Sequence, residues 1–159
     1  MERKQIEFIV KFLAIFIVGE LLIPFLPLGG IQEGIAGFEA PLLGLRAVHN
    51  TIPIQETVFV VNEHCTGVVS SLILLAIIFA LRKPELKIKI GLWVAGSIVL
   101  FLANLVRVYL VLLAGVMWGG EIAELLHTIS WFGVSVLILI VWYYATKKIA
   151  GIKQFDELL

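Results

Sequence analysis

The sequence predicts an all-α fold: a polytopic helical membrane protein with about four transmembrane helices and both termini on the cytoplasmic side. Three observations carry this. Apolar residues make up 60% of the 159 and charged residues only 15%, where a soluble domain is nearer half apolar and a quarter charged. A core this small cannot hide that excess, so lipid is the expected solvent. Four stretches approach the length of about 20 residues that crosses a hydrocarbon core. Lysines and arginines cluster in alternate connections between them.

The first stretch is Ile6–Leu28, closed by Pro24, Pro27 and the Gly29-Gly30 pair. With Glu2, Arg3 and Lys4 ahead of it, it mimics a signal peptide. Its length and the lack of a small-x-small cleavage site favour an uncleaved first helix. The second stretch runs from about Cys65 to Leu81, the third from about Ile90 to Trp118, and the fourth from about Thr128 to Thr146. Arg3 and Lys4, then Arg82, Lys83, Lys87 and Lys89, then Lys147, Lys148 and Lys153 fall on one side of this topology. On the other side, residues 29–64 hold Arg46 as their only Lys or Arg, and residues 119–127 hold none. By the positive-inside rule the basic side is cytoplasmic.

Residues 1–159 read as a single transmembrane domain. Within it, 29–64 reads as an extracytoplasmic loop interrupted by five glycines and two prolines, from Gly29 to Pro53, with a short interfacial helix near Leu42–Val48. Glu121 and Glu124 belong to a solvated outer loop. Formal net charge is zero, so no basic surplus points to nucleic acid. The single cysteine excludes an intramolecular disulfide and a C-x-x-C motif. One Cys and three scattered His lack metal-ligand spacing. No metal and no cofactor is expected.

Arg107 stands well inside the third stretch, where an arginine costs roughly 2.5–3.5 kcal/mol on insertion scales. Snorkelling is disfavoured because Val108–Trp118, which follow, are nearly all apolar. Depths follow from a rise of 1.5 Å per residue. Measured from the cytoplasmic end of each span, Cys65 lies at roughly 24 Å, Arg107 at roughly 26 Å and His127 at roughly 29 Å. A thiol, a fixed cation and an imidazole thus fall near one plane at the outer edge of the core. They are the parts that cysteine acyl transfer needs. Each has a bland alternative: an inert small apolar residue, a structural ion pair, an interfacial histidine.

The surroundings supply supporting candidates. Asn62 is placed as an N-cap, with Glu63, His64 and Cys65 as the first helical positions. A thiol in a first turn feels the positive end of the helix dipole, which favours thiolate. Glu63 opposes that if it faces the same way. His64 adjoins Cys65, but consecutive helical positions diverge by about 100°, which makes it the poorer partner. Asn104 lies one turn before Arg107 on the same face, placed to orient the arginine or to pack between helices. Glu20 either counters Arg107 or marks the end of the first span, and Lys11 snorkels to the cytoplasmic surface. Ser70 and Ser71 suit helix contacts better than nucleophilic attack.

The segments Glu63-His64-Cys65-Thr66-Gly67, Asn104-Leu105-Val106-Arg107 and Leu126-His127 resemble the exosortase/archaeosortase family over about residues 60–145, the family's catalytic core. The chain is short for that family. The resemblance implies a membrane cysteine peptidase acting as a transpeptidase, with Cys65, Arg107 and His127 as catalytic residues. Its implied partners are secreted proteins bearing a C-terminal sorting signal: a short motif, a hydrophobic helix and a basic cluster. The signal would be cut at the outer face of the cell membrane through a Cys65 thioester. The product would pass to a lipid amine, another nucleophile or water. The alternative is a non-catalytic membrane assembly or transport subunit, which needs no reactive thiol. Inverted repeats and broken mid-membrane helices, the marks of a transporter, are not found.

Overall fold

A computed structural model describes residues 3–150; the expectation for Lys153 lies outside them. The chain is mostly helical. Helix α1 (Arg3–Leu22) ends where Pro24 forces a short 3-10 turn, Ile23–Phe25. Helix α2 (Gly29–Leu42) follows, then a hairpin of β1 (Thr51–Ile54) and β2 (Thr57–Val60). A second 3-10 turn, Glu63–Cys65, leads into α3 (Val68–Ala80), α4 (Leu86–Trp118) and α5 (Gly120–Ala150). Among the described residues, α1 with its 3-10 extension, α4 and α5 are long and apolar enough to cross a membrane.

The second expected span is shorter than its apolar stretch. Gly67 takes φ +77° ahead of α3, a left-handed conformation that ends any helix begun at Cys65. The remaining 13 residues of α3 rise about 20 Å, against a core of about 30 Å. At the other outer connection the deviation runs the opposite way. Residues 120–127 are helical, so Glu121 and Glu124 lie on the first turns of α5 and not in a loop.

Helix α3 sits centrally, packed by α1, α4 and α5, while α4 and α5 pair along their length. Leu74, Ile77 and Ile78 of α3 pack with Leu92 and Leu100 of α4 and with Ile138 and Trp142 of α5. Ser71 and Ser97 hydroxyls bond at 2.6 Å across α3 and α4, and Trp93 Nε1 donates to Ser71 Oγ at 3.1 Å. Arg82 after α3 pairs with Glu7 near the start of α1, and Glu7 also holds Lys11 at 2.7 Å. The basic connection and the beginning of α1 therefore share one end of the bundle.

At the opposite end, residues 29–61 form a folded cap and not the irregular loop that their glycines suggest. Each glycine in a helix costs roughly 0.5–1 kcal/mol relative to alanine. The buried stripe Ile35, Ala36, Glu39 and Ala40 of α2 offsets that by packing inward. The short helix expected near Leu42–Val48 is displaced to Gly29–Leu42. The hairpin went unforeseen because Pro53 interrupts it; Pro53 pairs with Val58 in an antiparallel register. A two-stranded hairpin is marginal alone. Here Ile52 and Ile54 bury against Val108 and Leu112 of α4, together with Ile35, Ala36, Ala40, Val61 and Cys65. Gln55 Nε2 also donates to the Val116 carbonyl at 3.2 Å. A Cβ at Gly120 would stand 2.5 Å from the Thr57 side chain, so only glycine lets the hairpin seat on the start of α5.

Two predictions follow from the cap. Ile52→Ala removes a fully buried side chain and should destabilise the cap by roughly 2–5 kcal/mol. Cys65, also fully buried, should then be alkylated faster than in the native protein. An unchanged alkylation rate would show that this cluster does not control access to the thiol. The second concerns Glu39, 1% exposed, with Oε2 unpartnered among the described residues. Burial pushes its carboxyl above the usual carboxylate range. A raised acid is stabilising while it stays neutral, so cap stability is full below the ordinary pKa and is lost as pH rises through the raised one. The ratio of native to Glu39→Gln alkylation rates cancels the thiol's own ionisation and should climb with pH. A flat ratio would contradict this.

Candidate active site

The turn carrying Cys65 is built locally. Asn62 Oδ1 accepts from the His64 backbone N–H at 3.1 Å, and the Cys65 N–H donates to the Asn62 carbonyl at 3.0 Å. The Thr66 hydroxyl closes the turn on the Glu63 carbonyl at 2.6 Å. Gly67 then brings the backbone hard against α4. A Cβ there would lie 3.6 Å from both Phe101 Cα and Asn104 Cβ, at a positive φ that side chains rarely adopt. Asn62 thus caps a 3-10 turn, while the cap position of α3 is Gly67. The expected dipole effect does not apply, because Cys65 precedes the first turn of α3.

From Cys65 a hydrogen-bonded chain crosses three elements. Asn104 Nδ2, on α4, donates to the Cys65 carbonyl. Asn104 Oδ1 accepts from an Arg107 terminal nitrogen, NH1, at 3.0 Å. Arg107 Nε donates to Ser130 Oγ on α5 at 2.8 Å, and Ser130 Oγ donates to the His127 carbonyl at 2.8 Å. The other terminal nitrogen, NH2, is buried with no partner among the described residues. No carboxylate there lies within ion-pair distance of Arg107, so Glu20 does not counter it. Arg107 is 7% exposed, yet its charge is left to act on what lies beside it. Cys65 is within its electrostatic reach. A thiol this deeply buried favours its neutral form, and Arg107 is the cation positioned to offset that.

His127 stands two turns into α5 and not at its start. Its ring centroid lies 5.8 Å from that of Phe59 in β2, and Arg107, His64 and Glu124 are within electrostatic range. The His64 ring packs on Trp131 with centroids 5.0 Å apart. His64 and His127 line one open vestibule of about 330 Å³. His64 and Arg107 also line a smaller cavity of about 50 Å³. Among the supporting candidates, Asn104 and His64 therefore reach the site through their side chains. Glu63 contributes its backbone carbonyl and a nearby charge that opposes thiolate formation. Cys65 itself lines neither cavity, since the cap covers it. No group of three or more His, Cys, Asp or Glu able to hold a metal occurs among the described residues.

Sequence reasoning missed Ser130 and Trp131. Ser130 follows His127 by three residues, the spacing at which a helical serine bonds back to its own backbone. That spacing gives no sign of a link to Arg107.

Fold and site together define a polytopic helical membrane protein with a thiol, a buried guanidinium and two imidazoles gathered under a folded cap. The chain belongs to the transmembrane exosortase family, whose EpsH-type sequence model matches residues 4–152. Searches of curated proteins and of solved structures gave no match.

Ser130→Ala should leave Arg107 Nε without its partner and cost roughly 1.5–3 kcal/mol, the range for hydrogen bonds to charged groups. The measurement is thermal unfolding of the detergent-solubilised protein, with Ser130→Thr as the variant that keeps the hydroxyl. Equal melting temperatures for all three would remove Ser130 from the support of the guanidinium.

Proposed function

We propose that this protein is a membrane-embedded cysteine transpeptidase that cleaves C-terminal sorting signals of secreted proteins at the outer face of the membrane. The observation that carries the reading is the continuous hydrogen-bonded path from the Cys65 backbone through Asn104, Arg107 and Ser130 to His127. Family membership gives the reaction class, and this path, which ties the main-chain carbonyls of Cys65 and His127 to the Arg107 side chain, supports assigning the reaction to these three residues.

In the first step the Cys65 sulfur attacks the scissile carbonyl and gives up its proton to His127. The tetrahedral oxyanion is stabilised by Arg107, whose NH2 is a charged donor with no hydrogen-bond partner and no carboxylate at ion-pair distance among the described residues. Collapse breaks the C–N bond, and His127 returns the proton to the departing amine. A thioester remains on Cys65. In the second step an acceptor, a lipid amine, another nucleophile or water, attacks that thioester and releases the thiol. The substrate's own hydrophobic helix holds the motif at the depth of the site, and such tethering supplies effective concentration and orientation. The distribution of lysines and arginines supports an outward-facing cap and site, with the connection at residues 82–89 in the cytoplasm.

Complete burial of Cys65 is also what a non-catalytic membrane subunit would show, so the decisive test reads chemistry. The full chain in lipid vesicles is given a reporter bearing a tripartite sorting signal, and release of the C-terminal fragment is followed. Cys65→Ala should abolish release, and hydroxylamine should discharge a covalent reporter adduct formed by the native protein. Arg107→Ala should lower kcat by roughly 100- to 1,000-fold, the cost of losing an oxyanion donor. His127→Ala should lower it by roughly 100- to 10,000-fold. Native rates in Cys65→Ala would falsify the peptidase reading and favour the non-catalytic one.

A further inference from the structure

His64 is the member of the site that the mechanism above leaves unused, and the structure gives it more than a packing role. It lines both enclosed spaces: the open vestibule with His127, Trp131 and Phe132, and the small cavity with Arg107, Ser70 and Ser135. Two nitrogens on residues walling the small cavity, His64 Nδ1 and Arg107 NH2, are buried and unpartnered among the described residues. Arg107 itself is more than nine-tenths buried. Ser135 Oγ donates to the Trp131 carbonyl at 3.0 Å and keeps its lone pairs. The volume of about 50 Å³ has room for water, since about 10–15 Å³ of such space holds one molecule, and a buried water needs two to four polar partners. His64, Arg107, Ser70 and Ser135 supply four.

Resting on the transpeptidase reading, we propose that this cavity is a water site and that His64 is a second proton-carrying residue. His127 serves the leaving amine, and His64 serves the incoming acceptor. When the acceptor attacks the thioester, the acceptor–carbon bond forms and the carbon–sulfur bond breaks. The acceptor's proton passes to His64 on the vestibule side, and the cavity water, held by Arg107, bonds Nδ1 on the other. His64 then gives a proton to the departing sulfur, which restores the Cys65 thiol and a neutral imidazole. Around His64, Arg107 of α4 shares the small cavity, His127 of α5 shares the vestibule and lies within electrostatic range, and Glu63 precedes it on its own turn; Glu124 of α5 lies within range of His127. Of the site's two imidazoles, His64 is the one that lines both the vestibule and the small cavity.

The two half-reactions separate in time, which makes the division testable with the full chain in vesicles and the sorting-signal reporter. His64→Asn retains a polar side chain without proton transfer near neutrality, and His64→Phe retains the aromatic contact with Trp131. Both should keep the initial stoichiometric burst of fragment release and slow the following turnover by about 100-fold, the lower range for proton-transfer catalysis. The thioester should accumulate, and hydroxylamine, a nucleophile that needs no base to attack it, should restore turnover. In His127→Ala the burst itself should be lost. Native turnover in both His64 variants would overturn the proposal, as would loss of burst and turnover together. Release by Cys65→Ala would instead mean that the underlying peptidase reading has failed.

Discussion

Burial of the Arg107 guanidinium constrains everything around it. A cation out of water must be hydrogen-bonded or it destabilises the fold by several kcal/mol. Here its partners are neutral: Asn104 on its own helix and Ser130 on α5. Each is also bonded to a backbone carbonyl, of Cys65 and of His127 respectively. Solvating one guanidinium therefore ties the turn before α3 to α4, and α4 to α5. Among the described residues the positive charge has no carboxylate partner. Such a partner would make burial easier and, under the proposed mechanism, would blunt the field offered to a developing oxyanion.

The cap also covers the single thiol, which is fully buried beneath it. Cys65 belongs to an apolar cluster whose other members come from α2, the hairpin and α4. Neither α2 nor the hairpin is long enough to be stable alone, so their order derives from that cluster. Elements held by a single small cluster open at lower free energy than the bundle they cover. Glu39, a carboxyl in the inward stripe of α2, weakens the cap further whenever it ionises. Under the proposed function, access to the thiol would be an equilibrium within the protein, and a substrate that bound an open form would draw it over.

Hydropathy made α1, α3, α4 and α5 legible in the sequence, because lipid demands long apolar runs that few other constraints produce. The cap was misread for an equally physical reason. Glycine and proline are strong local punctuation, and the inward stripe of α2 outweighs them only through contacts with residues some seventy positions away, such as Val108 and Leu112. The place of His64 was harder to read, because Glu63, His64 and Cys65 read as the first positions of the span's own helix. They form a separate 3-10 turn instead, set off from α3 by Gly67 at φ +77°. Asn104 was legible through its one-turn spacing from Arg107. Ser130 was not, since its bond to Arg107 spans 23 residues and depends on how two helices meet.

The shortness of α3 connects these features. A helix rising about 20 Å cannot cross a core of about 30 Å, and the deficit falls at the end where Cys65 sits. Non-helical backbone is tolerated at membrane depth only where protein buries it or water reaches it. The turn at Glu63–Gly67 meets both conditions. Its amide and carbonyl groups bond to Asn62, to Glu63 and to Asn104, while His64 borders the two cavities. A full-length α3 would have satisfied its own backbone and left no room for either cavity. By stopping the helix early, Gly67 exchanges backbone self-sufficiency for a turn that α4, α5 and the cap must complete. That incompleteness brings His64 to the wall of both cavities, beside Arg107 in one and His127 in the other, with the Cys65 thiol covered behind them.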